Sequence, residues 1–171
     1  MKVVQACNDH VRLVMEILSE CNTDMRRRGI YQWDDVYPDL GAVAKDASEQ
    51  TLYVALVEDC LVGAVCLSEE QDEAYSRVHW LGREPVLVVH RLCVAPARQG
   101  RGIASRIMDF AEELAEKKGY AGIRLDAYTG NEKAFRLYDR RGYRVAGRVF
   151  FPRRELPFYC MEKELRRGTP P

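Results

Sequence analysis

The sequence predicts a mixed α/β fold in one domain, residues 1–165, and three observations carry it. Strand-like and helix-like segments follow one another in the order β-α-α-β-β-β-α-β-α-β-β, which demands a mixed sheet with helices on both faces. PVLVVHRLCV, residues 85–94, is the nearly continuous apolar run of a strand covered on both sides. Hydrophobic residues make up 47% and charged residues 30% of the 171, which is globular composition and excludes both a disordered chain and a membrane-spanning one.

Each element has its own signal. KVVQA is a short strand, and Asn8 or Asp9 caps a helix over roughly 9–21 with Val11, Val14, Met15 and Leu18 at helical spacing. DMRRRGIYQWDDVYP starts helical, ends at Gly29 and continues as an ordered loop, with Arg26, Arg27 and Arg28 on a solvated face. A helix at 39–49 precedes TLYVALVE and LVGAVCLS, two β-rich runs parted by Asp59-Cys60, the pattern of a hairpin. Residues 69–84 are polar with two internal aromatics, and the central strand at 85–94 is stopped by Pro96. Ile103, Ile107, Phe110, Ala111 and Leu114 mark one face of a helix closed by Gly119. GIRLDAY is the next strand, Asn131 caps a short helix ended by Gly142, and YRVAGRVFF and LPFYCMEKEL are the last strands. The tail, 166–171, is expected to be disordered because of its two prolines and Gly168.

Lys+Arg and Asp+Glu number 26 each, so the basic excess that binds a phosphate backbone is missing and nucleic acid is not an expected partner. Asn8, Asp9, His10 and Arg12 break the N-terminal apolar run, so neither a signal peptide nor a membrane partner is expected and the cytoplasm is the expected location. Six cysteines without a C-x-x-C pair and mostly among apolar neighbours, together with three scattered histidines, read as reduced, buried thiols with no disulfide frame or metal site.

Chemistry concentrates between the central strand and the helix at 103, in Arg98-Gln99-Gly100-Arg101-Gly102-Ile103-Ala104. Two glycines one residue apart allow a tight turn whose N–H groups converge at a helix start, a geometry that binds pyrophosphate. A Walker loop would need G-K-[S/T], and the dinucleotide pattern G-x-G-x-x-G fails at Ser105 and at a position after four strands. A plain glycine turn remains the bland alternative.

Gln99-Gly100-Arg101-Gly102-Ile103-Ala104, preceded by LCVAP and followed by NEKAFRLYDRRGY, closely resembles the GNAT superfamily of N-acetyltransferases, whose phosphate loop reads Q/R-x-x-G-x-G/A. The resemblance covers roughly residues 50–165; the first fifty match only in layout. It implies a mostly antiparallel sheet of about seven strands splayed at its centre between the central strand and GIRLDAY. It also implies acetyl-CoA as co-substrate, without metal, and direct transfer to a primary amine carried by a small molecule or peptide. A homodimer is compatible with the sequence. Leu92, Cys93 and Val94 would pair with the pantetheine arm as with an added strand, and a backbone N–H near Cys93 or Val94 would polarise the thioester carbonyl. Arg98 to Ala104 would hold the phosphates, with Asn131 and Ala134 completing the cofactor set. Tyr138 would protonate the departing thiolate, although a core tyrosine is the competing reading.

The base is less determined. His90 alternates with Leu92 and Val94 along the strand, Asp126 sits in mid-strand where a carboxylate is costly to bury, and a water chain is the third option. Tyr31, Trp33, Asp34 and Tyr37 could line the amine side with aromatic faces and negative charge, while aromatics in an ordered loop more often anchor packing. Cys93 reads as a small apolar filler rather than an acyl carrier. The rival from another class is a non-catalytic acyl-CoA-binding sensor of the same fold, and a nucleotide-binding Rossmann domain is the third reading.

Overall fold

The computed structural model describes residues 1–165, so the expected tail at 166–171 lies outside the described residues. The chain divides into two compact units: Met1–Leu67 with His90–Phe110, and Ser68–Val89 with Ala111 onward.

In unit one, β1 (Lys2–Gln5) pairs antiparallel with β2 (Leu52–Val57), from Lys2↔Leu56 to Gln5↔Tyr53. β2 pairs antiparallel with β3 (Cys60–Ser68) around Glu58 and Asp59, whose φ values of 50° and 60° make the two-residue turn that suits strand twist. The hairpin thus turns one residue earlier than Asp59-Cys60. α1 (Asn8–Arg27) is longer than the expected 9–21, because Cys21 and Met25 continue its buried stripe behind the polar NTDMRR surface. Its cap is Cys7, not Asn8 or Asp9: His10 at N3 reaches back, and its Nδ1 accepts the Cys7 N–H at 3.1 Å. α2 (Leu40–Ser48) starts at Asp39, whose carboxylate accepts the Ala42 N–H at 2.7 Å. Val11, Val14, Ile17 and Leu18 of α1, Val43 and Ala47 of α2, and Leu52, Val54, Ala64 and Cys93 form the unit's core.

β4 (Val86–Val94) supplies His90–Val94 to unit one and Val86–Val89 to unit two. α3 (Ile103–Lys118) is divided after Phe110. Its buried residues are Ile103, Ile107, Met108, Ala111 and Ala115; the expected Phe110 and Leu114 are only half-buried, Phe110 lying against the Tyr53 ring.

In unit two, β4 runs parallel to β5 (Gly122–Tyr128) over four residues only, Val86↔Gly122 to Val89↔Leu125. α4 (Glu132–Arg140) follows, and then β6 (Arg144–Val149) and β7 (Phe158–Glu164). β7 pairs antiparallel with both β5 and β6. Arg124 and Glu162 are almost wholly buried; Arg124 lies over the Trp80 ring at 4.5 Å, and Glu162 accepts the N–H groups of Leu81 and Gly82. That pairing fastens the polar 69–84 segment within its unit. The hydrogen-bonded strand order is β1-β2-β3-β4-β5-β7-β6, and among the described residues the seven strands and four α-helices come in the expected order.

Candidate active site

The residues expected to form the phosphate loop belong to unit one. A short 3-10 turn at Pro96–Arg98 ends β4, and Gly100 and Gly102 both stand at φ +77°, where an L-residue costs roughly 1–2 kcal/mol. A Cβ at either glycine would meet nothing within 4 Å, so the backbone conformation, not crowding, is what calls for glycine. Arg106 N–H donates to the Gly102 carbonyl at 3.1 Å as the first helical bond of α3. The N–H groups of Ile103 and Ala104 lie in the first turn, without a carbonyl four residues earlier in the helix, at its positive end. Gln99 Nε2 donates to the Val94 carbonyl at 3.0 Å, tying the loop back to the end of β4.

Leu92, Cys93 and Val94 end β4 in close packing. The Cys21 thiol donates to the Val94 carbonyl at 3.2 Å. A Cβ on Gly63 would come within 2.7 Å of the Cys93 carbonyl, so glycine there lets β3 approach. The alternation assumed for His90, Leu92 and Val94 is interrupted: Arg91 has φ +53°, and a left-handed residue shifts the facing of those beyond it. His90 itself is half-buried.

Burial pushes the Cys93 thiol far above its ordinary value, with the buried Cys21 adding to the effect. Burial also pushes Cys21 and Cys66 up to about 11 and Cys160 up to about 12. Thiols so placed stay protonated at neutral pH, which suits a packing role for Cys93. A disulfide reagent added to native protein is therefore expected to react quickly with the two exposed thiols, Cys7 and Cys60, and with all six only after denaturation. Rapid native labelling of Cys93, read by peptide mapping, would reopen the acyl-carrier reading.

Of the residues expected on the amine side, Trp33 is 7% exposed and belongs instead to the core with α1 and α2. Asp34 Oδ1 accepts the N–H groups of Val36 and Tyr37 at 2.9 and 2.8 Å, closing the loop on itself. Tyr31 and Tyr37 are exposed, and the Tyr37 hydroxyl accepts from Arg91 Nη1.

The remaining predicted residues belong to unit two. Asn131 Oδ1 accepts the Ala134 N–H at 3.2 Å and caps α4. Tyr138 is buried, edge-on to Tyr143 at 5.9 Å. Burial, reinforced by the nearby Asp126, raises its hydroxyl well above the ordinary phenol value and keeps the proton on. Asp126 accepts the Tyr75 hydroxyl at 2.7 Å, joining residues 51 apart in sequence. In sequence Tyr75 carries a single signal, that of an aromatic within a polar segment.

A helix-initiating double-glycine loop thus follows a strand that breaks its own regularity, within a seven-stranded mixed sheet of the described residues. The chain belongs to the acetyltransferase (GNAT) family, whose model matches residues 11–143. It is 30% identical over 122 residues to mycothiol acetyltransferase of Brachybacterium faecium, covering 66% of this chain but 34% of that protein. The chain thus spans about a third of that relative's length. It is 25% identical over 150 residues to streptothricin acetyltransferase of Escherichia coli, 86% of this chain and 76% of that one. A GNAT acetyltransferase from Streptococcus agalactiae 2603 shares the fold with a TM-score of 0.82 at 19% identity, over 96% and 95% of the two chains. The Salmonella typhimurium acetyltransferase yncA, solved with its cofactor acetyl-CoA, does so at 0.73 and 15%, over 100% and 97%. Family and fold are those the phosphate-loop resemblance implied.

Among the described residues no three His, Cys, Asp or Glu side chains gather as metal ligands. No described helix is long and apolar enough to cross a membrane.

Proposed function

We propose that this protein transfers the acetyl group of acetyl-CoA directly to a primary amine, in the cytoplasm, and the observation that carries the reading is the pair of left-handed glycines opening α3. Donors at a helix start suit a pyrophosphate, and they fit the diphosphate of CoA. Acetyl-CoA supplies an activated thioester carbonyl. The N–H of Cys93 or Val94 polarises that carbonyl, while the backbone of Leu92–Val94 aligns the pantetheine amides as a neighbouring strand would. The amine nitrogen forms the new C–N bond, the C–S bond breaks, and the amine proton passes to a base, for which Asp126 and His90 are the candidates. Tyr138 gives its proton or a hydrogen bond to the leaving thiolate. Six free cysteines are in keeping with a reducing compartment.

The test is CoA release, followed with a thiol reagent against a no-amine control, over a panel of spermidine, L-lysine, an aminoglycoside, streptothricin and an alanyl peptide. At least one amine is expected to accelerate release well above hydrolysis. Saturable acetyl-CoA binding with no acceleration by any amine would favour the sensor reading, and stabilisation by NAD(H) without any by acetyl-CoA would overturn the cofactor.

A further inference from the structure

Arg91 combines two features that rarely coincide in a strand: a left-handed backbone, φ +53°, and a long charged side chain turned inward. Its Nε and Nη2 donate to Asp46 Oδ2 and Oδ1 at 2.9 and 2.6 Å, a two-pronged pairing with α2. Nη1 donates to the Tyr37 hydroxyl at 2.6 Å, and the guanidinium carbon lies 5.8 Å from the centre of the Tyr37 ring. The Arg91 and Asp46 side chains are only 14% and 6% exposed. A covered ion pair adds little net stability, because desolvation offsets its attraction. What it does supply is geometry: a planar fork with two filled directions fixes whatever it touches. Here it touches α2, the loop ahead of α2, and the backbone position immediately before Leu92.

We propose that Arg91 is a positioning residue that fastens the 30–38 loop to β4, holding Tyr37 and its loop on the amine side while setting the peptide planes of Leu92–Val94 on the thioester side. Asp46 orients the guanidinium, and Tyr37 is the loop's end of the clamp. Trp33, four residues before Tyr37 and packed in the core, anchors the same loop at a second point. The proposal rests on the acetyl-transfer reading above for its kinetic consequences, but not for its structural one.

The structural arm uses fluorescence. The chain has two tryptophans, Trp33 and Trp80, so a Trp80→Phe background leaves Trp33 as the sole reporter within the loop. Adding Tyr37→Phe or Arg91→Lys is expected to raise acrylamide quenching of Trp33 by about threefold, as a clamped loop gains local opening. The kinetic arm uses spermidine, L-lysine and an alanyl peptide as amine probes. Tyr37→Phe is expected to raise the amine KM about tenfold with kcat changed less than about twofold, the split that marks lost binding. Arg91→Lys keeps the charge but loses the fork, and should lower kcat about tenfold as well. The double variant should be no worse than Arg91→Lys alone, because both act through one contact.

Quenching and amine KM unchanged in both single variants would overturn the clamp. So would losses that merely follow Tm and vanish at lower temperature, or additive effects in the double variant. Failure of the acetyl-transfer reading looks different: wild type would then show no acetyl-CoA-induced rise in Tm, and the quenching arm alone would decide whether Arg91 holds the loop.

Discussion

Gly102→Glu is expected to abolish the rise in Tm that acetyl-CoA produces in the wild-type protein. At a ligand concentration a hundredfold above Kd, binding stabilises the folded state by about 2.7 kcal/mol, a shift of several degrees for a chain of this size. Gly102 has φ +77°, and its carbonyl accepts the first helical bond of α3. A carboxylate there lies among the N–H groups that would hold the diphosphate, filling the positive end of the helix and repelling the ligand's charge. The fold should survive the change at a backbone cost of about 1–2 kcal/mol for an L-residue at positive φ, since an added Cβ meets nothing within 4 Å and an acidic side chain at a helix start is electrostatically favourable. Gly102→Ala is the control: it adds the backbone strain without the charge, and should retain a reduced shift. A Gly102→Glu protein that still gains the full wild-type stabilisation would remove the loop from the cofactor site.

The elements that chain chemistry punctuates are the ones the sequence made legible. GIRLDAY is β5 to the residue, and α3 runs from Ile103 to Lys118 between Gly102 and Gly119, because glycine at positive φ marks both ends. The double-glycine turn before α3 was visible for the same reason. Arg91 was not: HRLCV carries no glycine or asparagine to announce a left-handed residue, and the partners of its guanidinium, Asp46 and Tyr37, are 45 and 54 residues away. Tyr75 was hidden likewise, its partner Asp126 lying 51 residues on. α1 outran its expected end because Cys21 and Met25 keep the buried stripe going inside a polar stretch. For the 30–38 loop, composition allowed an aromatic wall but favoured packing anchors. Trp33 lies in the core and Tyr31 in solvent, so the loop divides between the two descriptions, a division set by tertiary packing that composition does not encode.

Tyr138→Phe should lower kcat by about 10² to 10⁴, the usual contribution of one acid–base group, while acetyl-CoA binding and Tm stay near wild type. Collapse of the tetrahedral intermediate expels a thiolate whose conjugate thiol has a pKa of roughly 8.5, so a donor that is reliably protonated at neutral pH eases the step. Tyr138 qualifies because burial first, and the neighbouring Asp126 second, disfavour the phenolate. The shift leaves the proton on the hydroxyl throughout the range in which the amine itself is deprotonated and reactive. Removing only the oxygen preserves the ring's edge-on contact with Tyr143 and leaves no partner stranded, since Tyr138 makes no hydroxyl hydrogen bond among the described residues. A core tyrosine satisfied by its surroundings would behave oppositely, losing stability with catalysis nearly intact. The pH–rate profile carries the same sign: because the hydroxyl keeps its proton across the working range, Tyr138→Phe should lower the whole profile without shifting its alkaline side. Turnover of the variant within a few-fold of wild type, with chemistry rate-limiting on a good acceptor, would return Tyr138 to the core and leave protonation of the thiolate to solvent.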